Sequence, residues 1–593
     1  MTEHHFTISA RWSSGCRAIV ALGLVASLGF GNALAQDPQP ESGTGRLSKE
    51  SVSSETFMVS AANPLAAQAG YDVLKAGGTA IDAAVAVQML LNLVEPQSSG
   101  IGGGAFLLYW DADSKILETY DGRETAPAAA TPGYFLKEDG TPKGFWEAVV
   151  GGRSVGVPGT LRLLEVAHGK HGTSNWSDLF QPAISLADAG FEISPRMAKS
   201  IAGAQERGLD KFPAARAYFF NADGTPKAAG TVLKNPEFAA TLRAIAEGGA
   251  DVFYKGDVAK NIVEAVRATT ENPGILTLED FANYEVKERE PVCMNYRSHR
   301  VCGMGPPTSG GLTVGQILSV LSHFDLPAMG PGPEAAHLFA EAAKLAYADR
   351  GLYMADSDFV RMPTKGLLDG DYLSERASLI KRDGAMGKAE PGTPPWKDAA
   401  LRSPDEDLER PGTSHFVIRD SYGNAVSMTT TIETGFGSRV MVNGFLLNNE
   451  LTDFSRVPEK DGKPIANRVE GGKRPRSSMA PTIVFDGQGE PVLLIGSPGG
   501  SRIINYVAKT LVAVLDWEMD IQKAIDLGHF VNRNGATDLE QGTEAAGYQA
   551  ALEALGHEVA VRDLNSGLHG IVIAKDKLTG GADPRREGLV LGD

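Results

Sequence analysis

The run Arg410-Pro411-Gly412-Thr413-Ser414-His415 sets a hydroxyl directly after a glycine, where a loop enters a strand. A threonine hydroxyl is a weak nucleophile until a base stands beside it. One solution is an N-terminal threonine, whose own α-amine takes the hydroxyl proton. That amine has a reference pKa of about 7.7–8.0, so it is a neutral base at working pH, where a lysine is largely protonated. Making such a terminus in mid-chain requires cutting the bond before Thr413. Gly412 suits the step, because a residue without Cβ admits the strained backbone of an internal N→O acyl shift. Gly-Thr at a strand start is also common in ordinary hairpins, so these residues alone fit a plain turn as well.

The elements that must hold this hydroxyl are legible nearby. His415 to Asp420 reads as a strand, Tyr422-Gly423-Asn424 as a turn, and Ala425 to Thr431 as the returning, hydroxyl-rich strand. Upstream, residues 384–412 are dense in Pro, Gly and charge; such a segment resists packing and reads as a linker or mobile tail. Asn63-Pro64 supplies an N-cap and an N1 proline for a helix that Gly77-Gly78 closes. Ile81, Val85 and Met89 stripe a second helix that ends before Glu95-Pro96. "SSGIGGGAFLLYW" lacks the Lys-Ser/Thr of a phosphate loop and an acidic ribose partner, so it is better read as a tight backbone crossing into a strand. Residues 155–380 alternate helical and loop-like segments. A further hairpin pairs Thr482–Phe485 with Val492–Ile495, and "SRIINYVAKTLVAVLDW" has helical spacing. Helices before and after a core of antiparallel strands predict layered α/β packing.

Composition narrows the function classes. The 593 residues are 42% hydrophobic and 22% charged, as in a globular protein. A formal net charge of −17 argues against nucleic acid and against an anionic membrane surface. Arg11 and Arg17 precede an apolar run from Ala18 to Phe30, and Asn32-Ala33-Leu34-Ala35 gives an A-x-A site before Gln36. Residues 1–35 therefore read as a cleaved signal peptide, and the protein as periplasmic or secreted. Without the leader only Cys293 and Cys302 remain, in a hairpin turning at Arg297-Ser298. Pairing Tyr296 with His299 sets them opposite each other at a close, non-hydrogen-bonded position. A cross-strand disulfide fits that register, and the pair is structural with or without it. With no clustered His or Asp beside them they are not a zinc site, and neither metal nor cofactor is expected.

Six strings in order carry a resemblance: "DGRETAP" at 121–127, "MGPPTSGG" at 304–311, "GTSHF" at 412–416, "LLNNELTDFS" at 446–455, "KRPRSSMAPTIVF" at 473–485 and "GSPGGSR" at 496–502. Over essentially the whole chain after the leader it resembles the γ-glutamyltransferases, of the N-terminal-nucleophile hydrolase class. The resemblance implies a four-layer αββα sandwich, self-cleaved into a large subunit, 36–412, and a small catalytic subunit, 413–593. The tail at 384–412 would be the released end of the large subunit.

Carried over by motif, Thr413 looks like the nucleophile for both self-cleavage at Gly412-Thr413 and catalysis, with Thr431 orienting it. Arg123 matches the clamp on the substrate α-carboxylate, a task for a bidentate fork. Glu450 and Asp453 match acceptors of the α-ammonium, and Ser477 and Ser478 match hydroxyls on the carboxylate. The N–H groups of Gly499 and Gly500 resemble an oxyanion hole. The implied reaction passes a γ-glutamyl group from an amide such as glutathione, through an ester on Thr413, to water or an amino-acid or peptide amine. His415 alternates with Ser414 on its strand, and the family does not use it as a base; it is read as structural.

Two departures bear on the substrate. Position 433, often Asn in glutathione-cleaving members, is Glu433 here. A carboxylate at ~4 Å from the substrate's own would cost about 4 kcal/mol at an effective dielectric of 20. Glu433 must turn to the ammonium, be protonated, or serve another substrate; "TTTIE" also resembles members acting on poly-γ-glutamate. The stretch 456–472 is short and lacks an aromatic lid residue, which implies an open cleft. The alternatives left standing are a glutaryl- or cephalosporin-type acylase, a poly-γ-glutamate enzyme of the same fold, and an uncleaved homologue that binds without turnover.

Overall fold

The structure is a computed structural model describing Gly43, residues 45–396 and residues 401–593. The leader reading at 1–35 lies outside the described residues. Two seven-stranded sheets form the centre. Their strands, in chain order, are β1 (Val52–Ser54), β2 (Met58–Ala61), β3 (Gly104–Asp111), β4 (Ile116–Gly122), β5 (Lys287–Glu288), β6 (Val292–Tyr296) and β7 (His299–Gly303). After the predicted cut come β8 (Thr413–Arg419), β9 (Ala425–Thr431), β10 (Thr482–Phe485), β11 (Pro491–Gly496), β12 (His569–Ala574), β13 (Lys577–Ala582) and β14 (Leu589–Gly592). One sheet runs β14-β2-β8-β9-β3-β4-β5 and the other β1-β13-β12-β11-β10-β7-β6, with every neighbouring pair antiparallel.

Alternation along the first sheet builds the layers. Leu107, Tyr109, Phe416 and Ile418 share a core with α1 (Pro64–Lys75) and α2 (Ala80–Val94). Phe106, Leu108, Trp110 and Val417 point the other way. They join a second core with β10 and β11 and with α3 (Gly310–Leu321), α4 (Pro333–Tyr353) and α5 (Ile503–Leu515). The result is helices, sheet, sheet, helices. The first helix starts as its sequence predicts, with the Asn63 side chain accepting from Leu65 N at 3.0 Å; the second opens on a capping box of Thr79 and Asp82.

Two features bear on Thr413. Its strand begins at Thr413 itself, two residues before the predicted start at His415, because Thr413 and Ser414 pair in register with Thr431 and Thr430. The Gly102-Gly103-Gly104 run presses on the returning strand, and a Cβ on Gly103 would overlap the Thr431 carbonyl. On the second sheet Cys293 and Cys302 are register partners, with Cα atoms 4.1 Å apart and their sulfurs bonded.

The segment before Thr413 differs from the expectation that it resists packing. Among its described residues Ser403, Asp405 and Glu409 are buried in the uncut chain. Ser403 donates to Pro464 O at 3.1 Å and to Lys460 O at 2.7 Å, and so lies along the short stretch where an open cleft was expected. Composition misled here because the acidic residues are satisfied by arginines distant in sequence.

Candidate active site

Thr413 and Thr431 face each other across β8 and β9, their hydroxyl oxygens 3.4 Å apart. Thr431 donates to the Gly412 carbonyl at 2.8 Å and accepts from the Glu433 amide at 2.8 Å. Gly412 has no room for a side chain, since a Cβ there would overlap the Glu433 carbonyl. Glu433 itself holds φ at 76°, an uncommon value for a residue with Cβ. Gly499 and Gly500 also have positive φ, and Gly500 lies directly under the carbonyls of Glu409 and Arg410. The pre-cut backbone therefore crosses the residues that resemble an oxyanion hole.

Arg123 is buried between Glu450 and Asp453, with Asp453 at 2.6 Å. It also donates to the carbonyls of Pro475 at 3.2 Å and Arg476 at 2.9 Å. Glu433 accepts from Arg410 N at 3.1 Å and Asn449 Nδ2 at 3.0 Å and shares a hydrogen bond with Asp453. Glu124, which follows Arg123 in sequence, is fully buried against Glu450. Three carboxyls, Glu124, Glu450 and Asp453, thus crowd one guanidinium, with Glu433 behind Asp453, and a single positive charge cannot keep all of them ionised. Burial outweighs Arg123 and pushes Glu124 and Asp453 each up to about 8 and Glu450 well above the carboxylate range, and burial beside Asp453 raises Glu433 likewise. The cluster holds protons at neutral pH.

Ser478 sits between Arg350, which donates to it at 2.9 Å, and Glu409, to which it donates at 3.1 Å. Arg350 also pairs directly with Glu409. Ser477 binds Ser309 through its carbonyl and accepts from Met479 N at 3.1 Å. His415 Nδ1 meets Thr429 Oγ1 at 2.9 Å, and burial, with His569 nearby, lowers its pKa well below normal. His337, Glu341 and His557 have the donor set of a metal site, a grouping that sequence reasoning missed. There His337 and His557 are hydrogen-bonded at 2.7 Å, and the Lys344 ammonium, 2.7 Å from Glu341, supplies the positive charge.

The structure thus gathers Arg123, Gly412, Thr413, Thr431, Glu433, Glu450, Asp453, Ser478 and Gly500 around one stretch of backbone. Glu124, Asn449, Arg350, Arg476 and Glu409 were not foreseen. For Arg476 a signal existed in "KRPRSSM", and for Glu409 in its place four residues before Thr413.

Two facing antiparallel sheets between helical layers, with a buried threonine opening a central strand, define an N-terminal-nucleophile hydrolase. The fold matches the crystal structure of cephalosporin acylase from Bacillus halodurans with a TM-score of 0.81 and 28% identity, covering 94% of this chain and 99% of that one. Residues 66–592 match the family model described as Gamma-glutamyltranspeptidase. The chain is 39% identical over 548 residues to "Glutathione hydrolase proenzyme" of Bacillus subtilis (strain 168), covering 90% of this chain and 91% of the relative. It is 33% identical over 551 residues to "Acylase ACY 1 proenzyme" of Pseudomonas sp. (strain SE83), covering 91% and 94%. The chain belongs to the γ-glutamyltranspeptidase family. It is an enzyme of the γ-glutamyl hydrolase and transferase class, on the fold that related acylases share.

Proposed function

We propose that the chain cuts itself between Gly412 and Thr413 and then uses Thr413 as an N-terminal nucleophile on γ-glutamyl amides. The observation that carries this reading is the Thr431 hydroxyl, set between the Gly412 carbonyl and the Thr413 hydroxyl. In the precursor, Thr413 Oγ attacks the Gly412 carbonyl carbon, the peptide C–N bond breaks, and water hydrolyses the resulting ester. Gly412 becomes a carboxylate and Thr413 gains a free α-amine.

In the mature enzyme that amine takes the hydroxyl proton as Thr413 Oγ attacks the γ-carbonyl carbon. The N–H groups of Gly499 and Gly500 stabilise the oxyanion. The leaving amine departs with the proton, and water or an acceptor amine then takes the acyl group from the ester. Arg123, Ser477 and Ser478 hold the donor's α-carboxylate, while Glu450 and Asp453 hold its α-ammonium. The cysteine bond fits an oxidising compartment, which supports export by the leader at 1–35.

A second reading, a glutaryl-type acylase, is favoured by the likeness to cephalosporin acylase. The paired test is hydrolysis of a γ-glutamyl anilide and of a glutaryl anilide, which lacks only the α-ammonium, by wild type and Thr413→Ala. Preference for the glutamyl compound, lost in the variant, supports the first reading; equal or better glutaryl cleavage supports the second.

A further inference from the structure

The uncut chain lays three acidic side chains over a set of arginines. Glu409 pairs with Arg350 and with Arg476, the latter at 3.3 Å, and takes the Ser478 hydroxyl. Asp405 meets Arg476 at 3.0 Å and also accepts from Asn467. Asp407, further out, pairs with Arg456 at 2.9 Å. Arg350 and Arg476 are almost fully buried beneath the segment, and Arg476 Nη1 finds no acceptor among the described residues. Burial and mutual repulsion lower the pKa of Arg350, whereas the two arginines overcome burial to hold Glu409 down at about 2. This is a built carboxylate site, and the chain itself fills it.

The donor alone does not replace these charges. Once the bond before Thr413 is cut and the segment leaves, Arg350 and Arg476 lose Glu409 and Asp405 together. The donor's α-carboxylate is a single charge, already assigned to Arg123, Ser477 and Ser478. The Arg476 carbonyl accepts from Arg123, which ties the uncovered pair to the edge of that site.

We propose that Arg350 and Arg476 form an anion subsite uncovered by self-cleavage, which takes a second carboxylate, carried on the amine portion of the γ-glutamyl substrate. Among γ-glutamyl donors the pair then favours those whose amine portion carries a carboxylate over amides of uncharged amines. This rests on the proposed reading of Thr413 and narrows its substrate.

The test compares kcat/KM of matured wild type and Arg476→Met on γ-glutamyl-p-nitroanilide and on γ-glutamylglutamate. The expected result is a loss at least tenfold larger on γ-glutamylglutamate than on the anilide, with Arg476→Lys restoring part of it. Equal proportional losses on the two donors would overturn the subsite. Failure of wild type to cleave either donor would instead sink the functional reading itself.

If Arg476→Met does not mature, wild-type enzyme is inhibited with a synthetic Ser403–Gly412 peptide and with the same peptide carrying Gln in place of Glu409. The subsite requires the Glu peptide to compete at least tenfold more tightly against γ-glutamylglutamate; equal inhibition rejects it.

Discussion

The Thr431 hydroxyl donates to the Gly412 carbonyl at 2.8 Å while lying 3.4 Å from the Thr413 hydroxyl, so one side chain touches both partners of the proposed cut. In the proposed cut it would polarise the carbonyl and fix the attacking oxygen. Thr413→Ala is expected to run as a single uncut chain on a denaturing gel. Thr431→Val should mature more slowly by about 100-fold or more, the scale for losing one donor aimed at a developing oxyanion. N-terminal sequencing of the matured wild type should find a chain beginning at Thr413.

Glu433 is kept neutral by burial beside Asp453, and a neutral amide can replace it as a donor. Glu433→Gln should therefore keep kcat/KM within about threefold at pH 7, a change under ~1 kcal/mol. A hundredfold loss would mean that Glu433 works as a carboxylate.

Binding an α-ammonium requires carboxylates, yet burial pushes Asp453 and Glu124 up to about 8 and raises Glu433 and Glu450 well above the ordinary carboxylate range. KM for a γ-glutamyl anilide should fall as pH rises from 6 and level off near or above 8. Glu124→Gln removes a charge that pushes Glu450 up, so levelling should come at lower pH.

The same shifts set a stability trend with a definite sign. The folded state holds protons that the unfolded chain has released, so the cluster favours the fold near pH 4–5. That contribution is lost as pH rises through about 8. Urea unfolding of the Thr413→Ala precursor should show a smaller fall from pH 5 to pH 8 once Glu124 and Glu450 are both replaced by Gln.

Asp453 is proposed to read the substrate's charge. Asp453→Asn should erase most of the preference for a glutamyl over a glutaryl anilide, about 10–100-fold for a charged hydrogen bond of ~1.5–3 kcal/mol. An unchanged ratio would remove Asp453 from ammonium recognition.

Local chemistry wrote much of this in the sequence. The cap at Asn63, the turn at Tyr422-Gly423-Asn424 and the facing cysteines each depend on residues a few positions apart. The pairing of Thr413 with Thr431 follows from the length of one hairpin. Glu409 on Arg350, and Glu124 behind Glu450, join segments 59 and 326 positions apart, and no short-range pattern announces them. The segment before Thr413 was misread for the same reason: its charges look solvated until α4 and the 473–478 stretch bring arginines to them.

Strand order gives the proposed cut a lasting consequence. In the first sheet β2 is flanked by β14 and β8, and in the second β13 to β10 lie between β1 and β7, so pieces from both sides of Gly412 interleave in each sheet. Neither fragment owns a whole sheet, and separating them means tearing backbone ladders rather than undocking two bodies. Once the bond is broken, the instructions for folding are divided between two molecules that must find each other. The precursor should renature from denaturant as a unimolecular event, while the matured pair should recover poorly and only in proportion to concentration, so the enzyme is assembled once.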